Sequence, residues 1–171
     1  YISSKIVISK GKGKEILSVE KEKSPIAFVI LQLLKSAEAD TVIPKKNTFT
    51  VWNNILDTGK DMVLPYLERV ESNKVEIAGV ALFNGDIYTG TNLSKEKSGI
   101  LLSMMNQLAK SNKMALILNP KSSNRQSISF SIRDLKRDLK VMVNKDDQIT
   151  CKIDLNIDIE VLSFPQDFKE R

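Results

Sequence analysis

The chain has 171 residues, of which 42% are hydrophobic and 27% charged, and its 26 Lys and Arg against 21 Asp and Glu give a net charge of +5. This is the composition of ordinary folded domains, and it excludes disordered and fibrous classes. The basic excess is spread along the chain and aromatic residues make up only 6%, which argues against a nucleic-acid-binding protein, because such proteins gather Arg, Lys and aromatic side chains on one face.

The residue types that usually carry chemistry are scarce. The chain has no histidine, the commonest general base at neutral pH and the commonest metal ligand. A single cysteine, Cys151, can form neither an internal disulfide nor a Cys-rich zinc site. We therefore predict no catalytic residue, no metal and no cofactor.

The chain begins at Tyr1, without a Met or a signal peptide, and we expect it to be a piece of a longer protein. No apolar run approaches the ~18 residues of a transmembrane helix. Weak alternation predicts a strand over Tyr1–Ser9, and the glycines of Lys10–Lys14 predict a turn before a second strand at Glu15–Val19. These glycines lack the spacing of a phosphate-binding loop.

Two helices are predicted next. The first opens with Ser24 as N-cap and Pro25 in the first turn, and runs to about Ala39. It is apolar nearly all round, so we expect it to be well buried. The second helix covers Asn47–Asp57, with Gly59 as its C-cap glycine.

One face of this second helix is apolar. It carries Phe49, Trp52, Ile55 and Leu56. A tryptophan at this helical spacing is more often a core residue than a binding platform, so we predict that Trp52 is buried.

A buried strand and a hairpin follow. The run Val75–Phe83 is typical of a strand covered on both faces, and Gly79 within it indicates a bulge or a close backbone approach. Asn84-Gly85-Asp86 predicts a tight turn, after which Ile87–Thr89 returns as the hairpin partner.

A further helix is predicted from Ser94, its N-cap, to about Lys110. Its inward residues are expected to be Ile100, Leu101, Met104, Met105 and Leu108. Met114–Leu118 is predicted as another buried strand. The Pro-, Ser- and Asn-rich segment Pro120–Gln126 is the best candidate for a boundary, which gives an α/β region over 1–120 and the start of an antiparallel β-rich domain over 121–171.

The second region has the clearest pattern in the chain. Apolar and polar residues alternate from Ile149 to Val161, which predicts a long antiparallel strand with one buried and one wet face. Cys151 falls on the apolar face and is expected to be buried. Asp154, Asp158 and Glu160 fall on the wet face, where a solvated surface is favoured and an acidic binding or catalytic site is the alternative. The predicted fold class is therefore α+β, a mixed sheet with packed helices followed by a long-stranded antiparallel segment.

Three short motifs then support a family resemblance. Their positions are Gly59, Asp61, Leu64 and Pro65, then Gly79, Val80, Ala81, Leu82 and Phe83, then Gly90 and Leu93. In this order and spacing they resemble the C-subunit lipoprotein family of bacterial spore germinant receptors. We expect structural roles for these residues, and the chain to be the middle of the full protein.

The resemblance implies a non-catalytic lipoprotein on the outer face of the spore inner membrane. It implies assembly with the integral-membrane A and B subunits of the same receptor, and a membrane anchor through a lipidated cysteine that this chain lacks. No catalytic residue is implied. The alternative hypothesis is an extracytoplasmic solute-binding domain or an enzyme that uses the acidic strand face.

Overall fold

The computed structural model describes residues 4–19, 24–57, 59–71, 74–107, 112–117, 126–144, 146 and 148–165. Backbone contacts divide the chain into two compact units, Tyr1–Leu102 and Ser103–Arg171. The first holds helices and a mixed sheet, and the second holds an antiparallel sheet. The predicted α+β class is confirmed.

The first unit contains a four-stranded sheet in the order β1-β2-β3-β4. Its elements in chain order are β1 (Ile8–Ser9), α1 (Gly13–Leu17), α2 (Ile26–Ala39), α3 (Thr48–Leu56), β2 (Val63–Glu71), β3 (Lys74–Asn84), β4 (Ile87–Ser94) and α4 (Lys95–Met104). The sheet is mixed because β1 runs parallel to β2, whereas β2-β3 and β3-β4 are antiparallel.

The central strands supply the core of this unit. Leu67, Val80 and Ala81 are fully buried, and Val75 and Ile77 are nearly so. The prediction of a covered strand at Val75–Phe83 is confirmed. A second core cluster joins Val51 of α3 to Met62 and Leu64, with Ile6, Ile8 and Phe83 packed against it.

The predicted second strand at Glu15–Val19 is wrong, because this segment forms the short helix α1. The amide of Ser18 donates to the carbonyl of Lys14 at 2.9 Å, as in a helical turn. The two buried residues, Ile16 and Val19, are three apart, which is a helical and not a strand period.

Helix α2 is less buried than its sequence predicts. Only Leu34, Ala37 and Glu38 are buried, and Phe28 is 52% exposed. The N-cap is Pro25 in place of Ser24, since Pro25 has extended dihedrals and lies before the first turn. The carboxylate of Glu38 accepts from Lys5 at 2.5 Å.

Helix α3 begins with a capping box at Asn47. The Asn47 side chain accepts from the Thr50 amide, and the Thr50 hydroxyl accepts from the Asn47 amide, both at 2.9 Å. The helix ends with Asp57 as C-cap. Gly59 is therefore not the C-cap residue predicted, and its amide donates to Oδ1 of Asp57 at 3.2 Å.

Helix α4 is shorter than predicted and turns a different face inward. Its buried side chains include Ser98 and Leu102, whereas Ile100 is 53% exposed. The hydroxyl of Ser94 donates to Glu96 at 2.7 Å, and that of Ser98 donates to the Ser94 carbonyl at 2.7 Å. The predicted inward residue Leu108 and the predicted helix end at Lys110 lie outside the described residues.

The second unit contains a three-stranded antiparallel sheet. Its strands are β5 (Asn112–Ile117), β6 (Ser127–Val143) and β7 (Ile149–Ser163), in that order. Strands β6 and β7 pair from Ser129↔Ser163 to Val143↔Ile149, so the predicted long antiparallel strand is confirmed. Strand β5 pairs with β6. The predicted boundary segment Pro120–Gln126 lies mostly outside the described residues, so the division of the chain at residue 120 stays a prediction.

The register of β6 and β7 shifts at two places, between Ser129 and Phe130 and between Ile132 and Asp134. At the second place the extra residue of β6, Arg133, forms a β-bulge. Before it the apolar residues of β6 are even-numbered, as Phe130 is, and after it they are odd-numbered, as Leu135 is, with the exception of Met142. The bulge therefore keeps the others on one face of the strand pair β6–β7.

Candidate interaction surfaces

The first motif of the resemblance lies where β2 meets the β3–β4 turn. Leu64 and Pro65 are buried in β2. Oδ1 of Asp61 accepts from the Gly85 amide at 3.0 Å, and the amide of Phe83 donates to the Met62 carbonyl at 3.0 Å. Asp61 thus ties the start of β2 to the tight turn.

The other two motifs lie on β3 and β4. Gly79 has φ +136, and a Cβ placed there would lie 1.9 Å from the carbonyl oxygen of Leu93, so the predicted close approach is confirmed. Gly90 has φ +78 with open space around it. The ring of Phe83 lies 5.5 Å from that of Tyr88. The structure brings these motif residues together in one sheet, while Gly59 precedes it.

The apolar face of α3 is exposed. Trp52 is 58% exposed, with Phe49 at 54%, Ile55 at 41% and Leu56 at 66%. The prediction that Trp52 is a core residue is wrong. Val51 fills the core position of this helix instead, and helical spacing could not tell which of the two sides faces the sheet.

Lysines flank helix α3 in the sequence. Lys45 precedes α3 and Lys60 follows it, both exposed, and Lys46 is half-buried. Burial and, less strongly, the positive charge of Lys60 lower the pKa of Lys46. Lys60 lies 2.6 Å from Asp57. When the side-chain amide of Asn54 is oriented so that its oxygen faces a donor, that oxygen accepts a hydrogen bond from Nζ of Lys46 at 3.1 Å.

A second exposed apolar surface lies on β6 and β7. We define the ribbon face as the following side chains, which are 41–69% exposed: Leu139, Val141, Val143, Ile149, Ile157, Ile159 and Val161. Cys151, opposite Val141, is also exposed. The predicted burial of this face and of Cys151 is wrong, because alternation determines which side chains share a face but not whether another element covers them.

The acidic side chains lie on the opposite face of the same strands. Asp154 pairs with Lys152 at 3.1 Å and Glu160 with Arg133 at 2.8 Å. The hydrogen bond from Arg133 lowers the pKa of Glu160. Asp158 lies opposite Asp134 in the register. Within the described ranges, no group of three or more Asp, Glu or Cys side chains could hold a metal ion.

A groove between α2 and β3 was not foreseen from the sequence. It has a volume of about 460 Å³, and its lining includes the apolar residues Val29, Leu33, Val75 and Ile77 and the charged residues Lys74, Glu76 and Lys95. A hydrogen bond from Lys74 lowers the pKa of Glu76. The cluster is an ion-pair network, since Lys74 lies 2.6 Å and Lys95 3.7 Å from Glu76.

Residues 2–69 match the family described as the spore germination protein N-terminal domain. This part of the chain is therefore similar to that domain. The matched range includes Gly59, Asp61, Leu64 and Pro65, so the resemblance to germinant receptor C subunits is confirmed, and the remaining motif positions lie beyond it.

Comparison with the curated proteins and with the solved structures finds no match to this chain. In the described part of the chain, no helix is both long and apolar enough to cross a membrane. A role in spore germination therefore rests on the matched domain.

Proposed function

We propose that this chain is part of a non-catalytic scaffold and interaction module of a spore nutrient-germinant receptor. In this proposal it belongs to the lipoprotein C subunit on the outer face of the spore inner membrane. It binds the integral-membrane A and B subunits and is required for the germination signal. The match over residues 2–69 supports the place in germination.

The exposed ribbon face is the observation that carries the interaction role. Cross-strand apolar pairs such as Leu135↔Ile157, Leu139↔Ile153 and Val143↔Ile149 lie on one face of β6 and β7, where Arg137 opposite Leu155 is the charged residue among them. Contiguous apolar patches of this kind mark interaction sites, because leaving them in water costs free energy. A protein surface that covers them gains about 25 cal/mol per Å² of apolar area buried.

The geometry of the acidic face favours an interaction role over the alternative of an enzyme or a solute-binding domain. Asp154 and Glu160 are exposed and each is paired with a cation. Catalytic carboxylates typically sit in pockets where burial shifts their pKa upward, whereas the Arg133 guanidinium lowers the pKa of Glu160. The described geometry is that of a solvated sheet face.

Site-specific photo-crosslinking in a sporulating host tests the proposal. A photoreactive residue replaces Ile157 on the ribbon face of the full-length protein, and the matched control replaces Lys136, which lies on the opposite, polar face of β6. We expect crosslinks from position 157 to the A or B subunit of the receptor, and none from position 136.

Crosslinks from position 157 that stay within the same chain would contradict an intermolecular role for this face. Deletion of the gene provides the second readout, since the proposal requires loss of the response to nutrients. Normal nutrient germination in a strain without a redundant copy would overturn the receptor assignment itself.

A further inference from the structure

Helix α3 presents an unusual surface for a helix in contact with water. Its nine residues, Thr48–Leu56, include no charged side chain. The exposed side is formed by Phe49, Trp52, Ile55 and Leu56, while Val51 anchors the other side in the core. Helices that face water normally carry charged residues on the outer face. The outer face of α3 is therefore suited to contact with an apolar environment.

The residues of this face are those that favour a membrane–water interface. Tryptophan is enriched there because its ring has an apolar body and one polar N–H. The uncharged polar residues of the helix, such as Thr48 and Asn53, tolerate the head-group region. Interfacial helices insert their apolar side by ~5–10 Å and leave the polar side in contact with head groups.

The charges around α3 complement an anionic surface. Lys45 and Lys46 precede the helix and Lys60 follows it. The nearby carboxylate of Asp57 is paired with Lys60 at 2.6 Å, and that of Asp61 accepts from the Gly85 amide. Lys46 is half-buried and is also acted on by the positive charge of Lys60, which a lipid phosphate beside the two would offset. Each lysine near such a surface strengthens binding by about fivefold.

We propose that α3 is a membrane-contact helix, which inserts Phe49, Trp52 and Leu56 into the interface of a bilayer containing anionic lipid while Lys45 and Lys46 contact head groups. This contact requires neither the receptor subunits nor a lipid anchor, so it goes beyond the proposed function and is tested separately from it.

Trp52 provides the test, because it is the only tryptophan of the chain. The purified chain is titrated with vesicles of phosphatidylcholine and phosphatidylglycerol in a ratio of three to one, and with vesicles of phosphatidylcholine alone. We expect Trp52 emission to move to shorter wavelength with the mixed vesicles. Affinity should fall as salt is raised.

Variants distinguish insertion from nonspecific attraction. Phe49→Ser combined with Leu56→Ser should weaken vesicle binding by about tenfold or more, since both lose apolar contact, and Lys45→Gln by about fivefold. The matched control is Phe28→Ser, which removes an equally exposed aromatic ring from α2 and should leave binding unchanged. Circular dichroism checks that every variant is folded.

Unchanged Trp52 emission at millimolar lipid would overturn the proposal and indicate a protein partner for this face. Equal weakening by Phe28→Ser would likewise exclude a specific role for α3. If the chain binds the two vesicle types with equal affinity and this affinity does not depend on salt, the proposed contact between the lysines and anionic head groups is wrong.

Discussion

Gly79 lies where its neighbours leave no room for a side chain. Its φ of +136 lies in a region that L side chains rarely adopt, and the carbonyl of Leu93 occupies the place where a Cβ would be. The β2 register also shifts beside it, from Tyr66↔Gly79 to Leu67↔Ile77. The strands can approach each other here because the residue has no side chain.

Gly79→Ala is expected to destabilise the chain by about 3 kcal/mol or more, since either the β3 or the β4 backbone must move. Gly85→Ala is the matched control. Gly85 also has positive φ, +58, but open space around it, so only a conformational cost of about 1–2 kcal/mol is expected. Urea unfolding followed by circular dichroism measures both. Equal losses would show that the contact with Leu93 is not decisive.

The ion pair of Arg133 and Glu160 gives a pH prediction. A group with a lowered folded-state pKa stabilises the fold above its unfolded pKa, and this contribution is lost as pH falls through the folded pKa. For Glu160 the loss therefore occurs below about pH 4.3, and it is small because both side chains are about half exposed.

The measurement is an NMR titration of the Glu160 carboxyl. Arg133→Gln should raise its titration midpoint toward the ordinary range, because the hydrogen bond from Arg133 is the largest cause of the lowered pKa. Lys136→Gln, which removes a different cation from β6, should leave the midpoint in place. A midpoint unaffected by either variant would contradict the pairing.

At the scale of elements, α3 depends on its first turn. Asn47→Ala removes the side chain that accepts from the Thr50 amide and should lower stability by about 0.5–2 kcal/mol. Asn53→Ala, at an exposed position within the same helix, should be neutral or slightly stabilising because alanine has the higher helix propensity. Thermal unfolding of the two variants compares them. A destabilisation of equal size in both would show that the effect is not due to capping.

The sequence predicts most elements because their signals are local. Alternation identified β7, the run Val75–Phe83 identified β3, and Asn84-Gly85-Asp86 identified the hairpin. The error at Glu15–Val19 arose because two apolar residues three apart, Ile16 and Val19, fit a short helix better than a strand. The bulge at Arg133 had a signal as well, namely the change from even- to odd-numbered apolar positions between Ile132 and Leu135.

At the scale of the whole molecule, the net charge of +5 opposes self-association. The isoelectric point is near 9.2, so repulsion between copies falls as pH rises from 7 toward that value. The chain carries exposed apolar surfaces, and we expect light scattering to increase over this range at low salt. Scattering that decreases with pH would contradict this expectation.

Exposure is what the sequence could not predict. Trp52, Cys151 and the ribbon face were all expected to be buried because their spacing marks an apolar face, yet each is exposed. Burial depends on which distant element covers a face, and a local pattern has no information about that. The same limit applies to the groove between α2 and β3, whose lining residues come from separated segments of the chain.

The order of strands in the sheet has a practical consequence for anyone preparing the matched domain alone. The match ends at residue 69, inside β2, whose other neighbour is β3. A protein that ended there would leave β2 without its antiparallel partner β3. The amides and carbonyls along that edge of β2 would then be unpaired and available to other chains. Such a product should collect in inclusion bodies, and an expression fragment needs to extend past β4 to recover soluble material.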